Sequence, residues 1–284
     1  MTKFHKEPVR LVPNPSVGVI PERDADKYPI LNIQQLGVDF GGLHAVEDFN
    51  LVIGRNEIAG LIGPNGAGKT TVFNLITGVY QPTRGIIMFD GYNTQGKTPA
   101  EINRLGIART FQNIRLFNRM TVEENVTVAL HKEIKYNLLT STLRLPGFFK
   151  QERWAHEKAM ELLHIFDMEH MAKWEAGSLP YGAQRRLEIV RALATEPKLL
   201  LLDEPAAGMN PAETEELMEN IVRIRDTFDL AVMLIEHDMS LVMGICEGIC
   251  VLNYGKVIAK GTPEEIRSNP TVIEAYLGKG SSAC

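Results

Sequence analysis

The sequence predicts an α/β fold organised around a buried parallel sheet, and three observations carry that prediction. Leu199-Leu200-Leu201-Leu202 and Ala231-Val232-Met233-Leu234-Ile235 are continuous apolar runs without alternation. Strands covered on both faces read this way, whereas a half-exposed strand alternates. A third apolar run, Ile58-Ala59-Gly60-Leu61-Ile62, enters the loop Gly63-Pro64-Asn65-Gly66-Ala67-Gly68-Lys69-Thr70-Thr71 and then the helical Val72-Phe73-Asn74-Leu75-Ile76. Finally, the apolar runs end in polar residues, Asp203-Glu204 and Glu236-His237-Asp238. In open parallel sheets ligands sit beyond the carboxyl ends of the strands.

Taken in order, residues 1–28 hold Pro8, Pro13, Pro15 and Pro21 among mixed charges with no hydrophobic period, which predicts an extended or disordered tail. A single domain is expected over 29–284. Leu31, Ile33, Leu36, Val38 and Phe40 give a strand with one irregularity. Past the Gly41-Gly42 turn, Val46, Phe49, Leu51 and Ile53 give a second. These predict an N-terminal antiparallel β layer that feeds the glycine loop through Gly54-Arg55-Asn56-Glu57. Ile86–Phe89 with Asp90-Gly91 predicts a strand and tight turn, Pro99–Leu105 a short helix, and Ile107–Gln112 a strand ending in a polar side chain.

Residues from about 113 to 185 read as an α-helical subdomain inserted into a core of about 29–112 and 186–284. Thr121-Val122-Glu123-Glu124 is a capping box that opens a helix through Leu130, and Trp154–Phe166 is amphipathic. Between them Lys132, Lys135, Arg144 and Lys150 interleave with Leu138, Leu139, Leu143, Phe148 and Phe149. That composition suits a helical hairpin, or contact with a membrane surface or a partner. Leu187–Ala194 predicts a helix, and Asn210-Pro211-Ala212-Glu213 caps another. Ile249–Leu252 and Val257–Ala259 form a hairpin about Tyr254-Gly255, and Thr262-Pro263-Glu264-Glu265 caps the last helical region.

Composition narrows the function classes. Apolar content of 44%, charged content of 23% and a net charge of −5 describe a soluble globular chain and argue against a general nucleic-acid binder. No apolar run approaches about 18 residues, and the first eight residues lack the apolar core of a secretory signal, so a cytosolic location is expected. Cys246, Cys250 and Cys284 have no partner pattern for a disulfide or metal site, which predicts reduced thiols.

The glycine loop is G-x-x-x-x-G-K-[ST] between a buried strand and a helix, the context a phosphate-binding loop requires. Its glycines let backbone N–H groups close around a phosphate chain, and the helix start adds about half a positive charge. Lys69 adds a mobile full charge for the β- and γ-phosphates, and the Thr70 hydroxyl can ligate Mg²⁺. Asp203, at the end of an aliphatic strand, is the usual metal-holding partner of such a loop. Glu204 can polarise an attacking water. Gln112 and His237 stand at neighbouring strand ends, so all can converge on one terminal phosphate. Phe40, at the open end of its strand, either stacks on a purine ring or packs in the core.

In this order the motifs resemble the ATP-binding subunits of ABC transporters over essentially all of residues 29–280, which implies the P-loop NTPase fold. The matching segments are the phosphate loop at 63–70, the Q-loop residue Gln112, the signature region Leu179-Pro180-Tyr181-Gly182-Ala183-Gln184, the Walker B run ending in Asp203-Glu204, the D-loop Ala207-Gly208-Met209-Asn210, and the switch residue His237. Pro180–Ile189, Glu204–Pro211 and Ile235–Met239 are similar to the branched-chain amino acid importers in particular.

The resemblance implies Mg²⁺ with ATP. It places Phe40 on adenine and Gly63, Pro64, Asn65, Gly66, Ala67, Gly68, Lys69, Thr70 and Thr71 on the phosphates. Thr70, Gln112 and Asp203 fall around the metal, Glu204 falls at the general base, and His237 at the γ-phosphate. Pro180, Tyr181, Gly182 and Ala183 would complete the site of a second cassette, identical or not, in a head-to-tail dimer. Transmembrane permease subunits would touch the region of Gln112, Arg115 and Phe117, a solute-binding protein would act indirectly, and no nucleic acid would be involved. The subunit would lie peripherally on the cytoplasmic face of the inner (plasma) membrane.

Three positions depart from the common Leu-Ser-Gly-Gly-Gln signature: Pro180 replaces Ser, Tyr181 replaces Gly and Ala183 stands where Gln is usual. Asn210 stands where the D-loop usually carries Asp. The competing readings are a related urea, amide or lipopolysaccharide transporter subunit, a soluble non-transport ABC ATPase, and a GTP-dependent switch or kinase. The last lacks an Asn-Lys-x-Asp guanine motif and leaves the signature region unexplained.

Overall fold

Two sheets meet behind the glycine loop in the computed structural model, which describes residues 29–130 and 146–277. The expected N-terminal tail, and the basic-apolar stretch between Lys132 and Arg144, lie outside the described residues. Strands β1 (Leu31–Phe40), β2 (Leu43–Ile53), β4 (Arg84–Phe89) and β5 (Tyr92–Asn93) form an antiparallel sheet in the order β2-β1-β4-β5. Strands β3 (Ile58–Ile62), β6 (Ile107–Arg109), β7 (Leu199–Asp203), β8 (Ala231–Ile235), β9 (Gly248–Asn253) and β10 (Lys256–Gly261) form the second, in the order β10-β9-β3-β8-β7-β6. It is parallel from β9 to β6, with β10 antiparallel on its edge.

The irregularity in β1 is a register shift between Ile33 and Leu36, where Gln35 adopts φ 48° and its N–H donates to Asn50 Oδ1 at 2.9 Å. The extra residue resets the two-residue period, so Ile33 and Leu36 both point inward.

The unalternating strands are buried on both faces. In β7, Leu199 and Leu201 pack with Phe49, Phe73 and Phe89 on the side of the antiparallel sheet. Leu200 and Leu202 pack with Phe166, Leu187 and Ile221 on the other. Each such leucine removes apolar surface worth about 1.5–3 kcal/mol. The helices are α1 (Lys69–Ile76), α2 (Pro99–Leu105), α3 (Val122–Ala129), α4 (Pro146–Ile165), α5 (Tyr181–Leu193), α6 (Pro211–Phe228), α7 (Met239–Ile245), α8 (Pro263–Ser268) and α9 (Pro270–Leu277). Thr98, Thr121, Asn210 and Thr262 close capping boxes on α2, α3, α6 and α8, and Asp238 caps α7. Among the described residues no helix is long and apolar enough to cross a membrane.

Several elements differ from the sequence expectation. Helix α4 begins at Pro146 rather than Trp154, and α5 begins at Tyr181 rather than Leu187, so the subdomain boundary expected at 185 falls inside a continuous helix. Tyr181-Gly182 reads as loop because glycine is a poor helix former, yet α5 packs deeply enough to override it. Strand β6 stops at Arg109, three residues short of Gln112. The short α7 and β5 were not anticipated.

Candidate active site

The glycine loop is shaped by its surroundings as much as by its own sequence. Gly63, Gly66 and Gly68 take φ of 151°, 78° and 105°. A Cβ on Gly63 would stand 2.0 Å from Leu252 O, and one on Gly68 2.9 Å from Ala45 O. Only glycine fits both the conformation and the space. The β9–β10 hairpin tip fastens the loop from behind: the Gly255 N–H donates to Ala67 O at 2.8 Å, and the Glu47 N–H of β2 donates to Gly255 O at 2.9 Å. No side chain caps α1, so its first N–H groups face outward for an anion.

Lys69 is not the free, mobile charge the sequence suggested. It is 6% exposed and doubles back to donate to Gly63 O at 2.6 Å and Pro64 O at 3.0 Å. Burial pushes its ammonium pKa down, against the pull of Glu204 and Asp203. Asn65, Gly66 and Thr70 are exposed and Pro64 and Thr71 half-buried along the open side of the loop, with Ala67 beneath it.

Asp203 ends β7 in a buried ion pair, Arg109 Nη2 donating to its Oδ2 at 2.6 Å. The same guanidinium donates to Asn74 Oδ1 at 2.7 Å and lies over the rings of Phe73 and Phe111. It thereby ties the Walker B carboxylate to α1. The next residue, Glu204, sits in the left-handed region at φ 50°, with its N–H donated to Ile235 O at 2.9 Å. That turn, which costs an L-residue about 1–2 kcal/mol, carries the side chain out of the strand. Gln112 Nε2 donates to Glu204 Oε2 at 2.8 Å, and His237 Nε2 lies 3.1 Å from Oε1, donating in the tautomer protonated there. Gln112, Glu204 and His237 are thus brought together, with Lys69 and Asp203 close enough to act on one another's charge.

Gln112 reaches Glu204 from a loop rather than from a strand end. The backbone leaves the sheet after Thr110 because α5 takes its polar groups. Arg185 Nη1 donates to Phe111 O at 2.7 Å, and its Nη2 donates to Gln112 O and to Tyr181 Oη. Glu188 Oε1 accepts from the N–H groups of Phe111 at 3.4 Å and Arg115 at 3.3 Å. Burial pushes the Glu188 carboxyl up, while those donors and Arg185 pull it down. Beyond this clamp Arg115 covers the Phe111 ring at 3.9 Å, and Phe117 is 48% exposed beside Arg191.

The signature residues form the first turn of α5. Pro180 occupies the cap position with no side-chain hydrogen bond. Tyr181 is exposed, while Gly182 and Ala183 are buried. A Cβ on Gly182 would stand 2.9 Å from Glu213 Oε1, and one on Gly208 3.1 Å from the Tyr181 ring, so the D-loop and the signature turn pack together. Among the described residues no hydrogen bond joins 180–183 to 63–71. Phe40 is not a core aromatic: it is 43% exposed, its ring edge-on to Tyr80 at 5.1 Å. Cys246 and Cys250 are buried free thiols away from this chemistry, both pushed up by burial, Cys250 to about 12.

Sequence reasoning missed Arg109, Arg185, Glu188 and Glu236, all buried or nearly so. Their signal was weak: Arg109 follows two apolar residues, Arg185 and Glu188 fall in a charged stretch, Glu236 reads as one more polar strand end, and nothing names their partners. Oxygen donors of the kind Mg²⁺ prefers are present. Thr70 offers an exposed hydroxyl, Gln112 the side-chain carbonyl of the amide whose NH₂ holds Glu204, and Asp203 the carboxylate oxygen that Arg109 leaves unpaired.

Comparison with known proteins places this arrangement. Residues 46–207 match the family described as "ABC transporter", and residues 256–281 match "Branched-chain amino acid ATP-binding cassette transporter". The high-affinity branched-chain amino acid transport ATP-binding protein BraF of Pseudomonas aeruginosa is 50% identical over 251 residues, covering 88% of this chain and 98% of BraF. LivG of Escherichia coli K12, of the same description, is 49% identical over the same shares. Among solved structures, an ATP-binding cassette of an ABC transporter in its ADP conformation superposes with a TM-score of 0.77 at 30% identity, over 89% of this chain and all of the other.

Proposed function

The chain belongs to the ATP-binding subunits of ABC transporters, and we propose that it hydrolyses ATP to drive uptake of branched-chain amino acids through partner permeases. The cargo follows from the relatives and from the C-terminal match. The hydrolytic role rests chiefly on one observation: Glu204 is held between Gln112 and His237 at the mouth of the phosphate loop.

On this reading the exposed Phe40 face stacks on adenine and residues 63–71 wrap the phosphates. Lys69 exchanges its two loop carbonyls for β- and γ-phosphate oxygens. Thr70, Gln112 and Asp203 would hold Mg²⁺, which when bound would neutralise developing phosphate charge. Glu204 takes a proton from water as the water oxygen bonds to the γ-phosphorus and the bond to the β-phosphate oxygen breaks, leaving ADP and phosphate. His237 orients Glu204 and contacts the γ-phosphate.

The uncapped start of α5 supports a head-to-tail dimer. Its N–H groups are free for a second cassette's γ-phosphate, and they do not reach the loop of their own chain. With Pro180 in place of Ser, that contact is made by backbone N–H groups and the helix dipole. We also assign a core of about 29–112 and 186–284, a helical subdomain of about 113–185 joined to it by α5, and a peripheral position on the cytoplasmic face. There Phe117 and Arg115 meet the permeases, and a solute-binding protein acts on their far side.

The test is Glu204→Gln in the complex with its permeases. ATP should still bind while turnover falls at least about a hundredfold, the lower end for loss of a general base. Near-normal hydrolysis removes Glu204 from the role, and failure to co-purify with permeases removes the transport reading.

A further inference from the structure

We propose that Glu236 is a positioning residue that keeps Glu204 and His237 in register by pinning, with one carboxylate, the two chain segments that carry them. The inference rests on the roles given to Glu204 and His237 above. Glu236 follows β8 directly and is 3% exposed. The hydrogen bonds it accepts come from backbone N–H groups. Ala206 donates to Oε1 at 2.7 Å, and His237 at 3.0 Å and Asp238 at 3.4 Å donate to Oε2. Ala206 lies two residues beyond Glu204 on the segment leaving β7, whereas His237 and Asp238 lead the segment leaving β8. Each oxygen therefore holds one segment, and the two side chains those segments present meet at 3.1 Å.

Burial of a carboxylate is expensive unless its charge is met by donors. Here burial pushes the group up and Glu204 adds to that push, while the three N–H groups oppose it. A residue serving only to end a strand has no need of such a group. One that must hold two loops to a fraction of an ångström does, because misplacement of reacting groups by about 1 Å can cost on the order of a hundredfold in rate. The segment held by Oε1 also runs into Gly208, which packs against Tyr181 of the signature turn. The pin thus lies between the surface offered to a second cassette and the residue offered to the γ-phosphate.

The test is a double-mutant cycle on the full chain in its transporter complex, read by single-turnover hydrolysis at saturating ATP alongside ATP affinity. Glu236→Gln keeps the volume but leaves one acceptor oxygen, the amide NH₂ facing a backbone N–H, so one segment is released. The expected result is a tenfold to hundredfold lower rate, the size of a roughly 1 Å displacement, with ATP affinity unchanged. In a His237→Ala background the same substitution should add no further loss, since coupled residues are not additive.

An unchanged rate, or the same fold loss in both backgrounds, overturns the inference. If Glu236→Gln does not fold, Glu236→Asp goes through the same cycle. It keeps both oxygens on a shorter arm and should show a smaller loss, again seen only where His237 is retained. Failure of the underlying assignment looks different: His237→Ala alone would then turn over normally.

Discussion

Helices α1 and α5 begin with the same unmet chemistry and are built in opposite ways. Side chains close the starts of α2, α3, α6, α7 and α8, but Gly68 and Pro180 leave α1 and α5 without a side-chain cap. Open N–H groups are what a phosphate requires. At α1 the opening is walled by its own chain, with the loop pressed against Leu252 and Ala45 and Lys69 folded across it. At α5 the opening faces solvent beside the exposed Tyr181, and the support is all behind it, where Arg185 and Glu188 grip the loop that carries Gln112. One start is walled on its own chain. The other is open, and Arg185 links it to the loop of its own chain that carries Gln112.

Substitutions at the two starts should separate in size and kind. Arg185→Met leaves Glu188 with Arg191 as its remaining guanidinium neighbour and frees the Phe111 and Gln112 carbonyls, so stability should fall by about 3–5 kcal/mol, as when one partner of a buried pair is removed. Because burial already holds the Glu188 carboxyl above its ordinary 4.5, the folded state binds the extra proton. The Glu188 contribution to stability is then fully present below the ordinary glutamate value and is lost as pH rises from there to the folded one. Urea unfolding at pH 5 and pH 8 should show the larger deficit at pH 8. Equal deficits would mean that the pair contributes packing alone.

Gly63→Ala attacks the walled start. Its Cβ has no room against Leu252 O, and the strained backbone should cost about 1–3 kcal/mol. Weaker nucleotide binding, titrated with a fluorescent ATP analogue, is expected with global stability less affected. Normal affinity would show that the β9 wall gives way freely. Pro180→Ser supplies the cap α5 lacks and should raise stability by about 1 kcal/mol, read as a higher urea midpoint at constant slope. No gain would mean that the α5 start is already satisfied within the chain.

The walled start was legible because its chemistry is contiguous: nine residues from Gly63 to Thr71 specify turn, cradle, charge and hydroxyl in one stretch. Asp203, Glu204 and His237 were legible as polar residues ending unalternating strands, and Gln112 as a polar residue after an apolar one. The left-handed turn at Glu204 and the departure of Gln112 from β6 were not. The first depends on the neighbouring strand accepting its N–H, and the second on a helix more than seventy residues away drawing off carbonyls that a sheet would have kept.

Periodicity and motif order settled the fold class, the strand cores, the caps at Thr121, Asn210 and Thr262, and the family, because each is a property of residues near in sequence acting through local sterics and burial. Tertiary structure alone decided that Lys69 lies tethered, that Phe40 is exposed against Tyr80, and that Arg109, Arg185 and Glu236 hold the polar residues in place. A buried charge is defined by its partners, and Asp203 for Arg109, Phe111 and Gln112 for Arg185, and Ala206 for Glu236 lie on segments that composition and spacing do not connect.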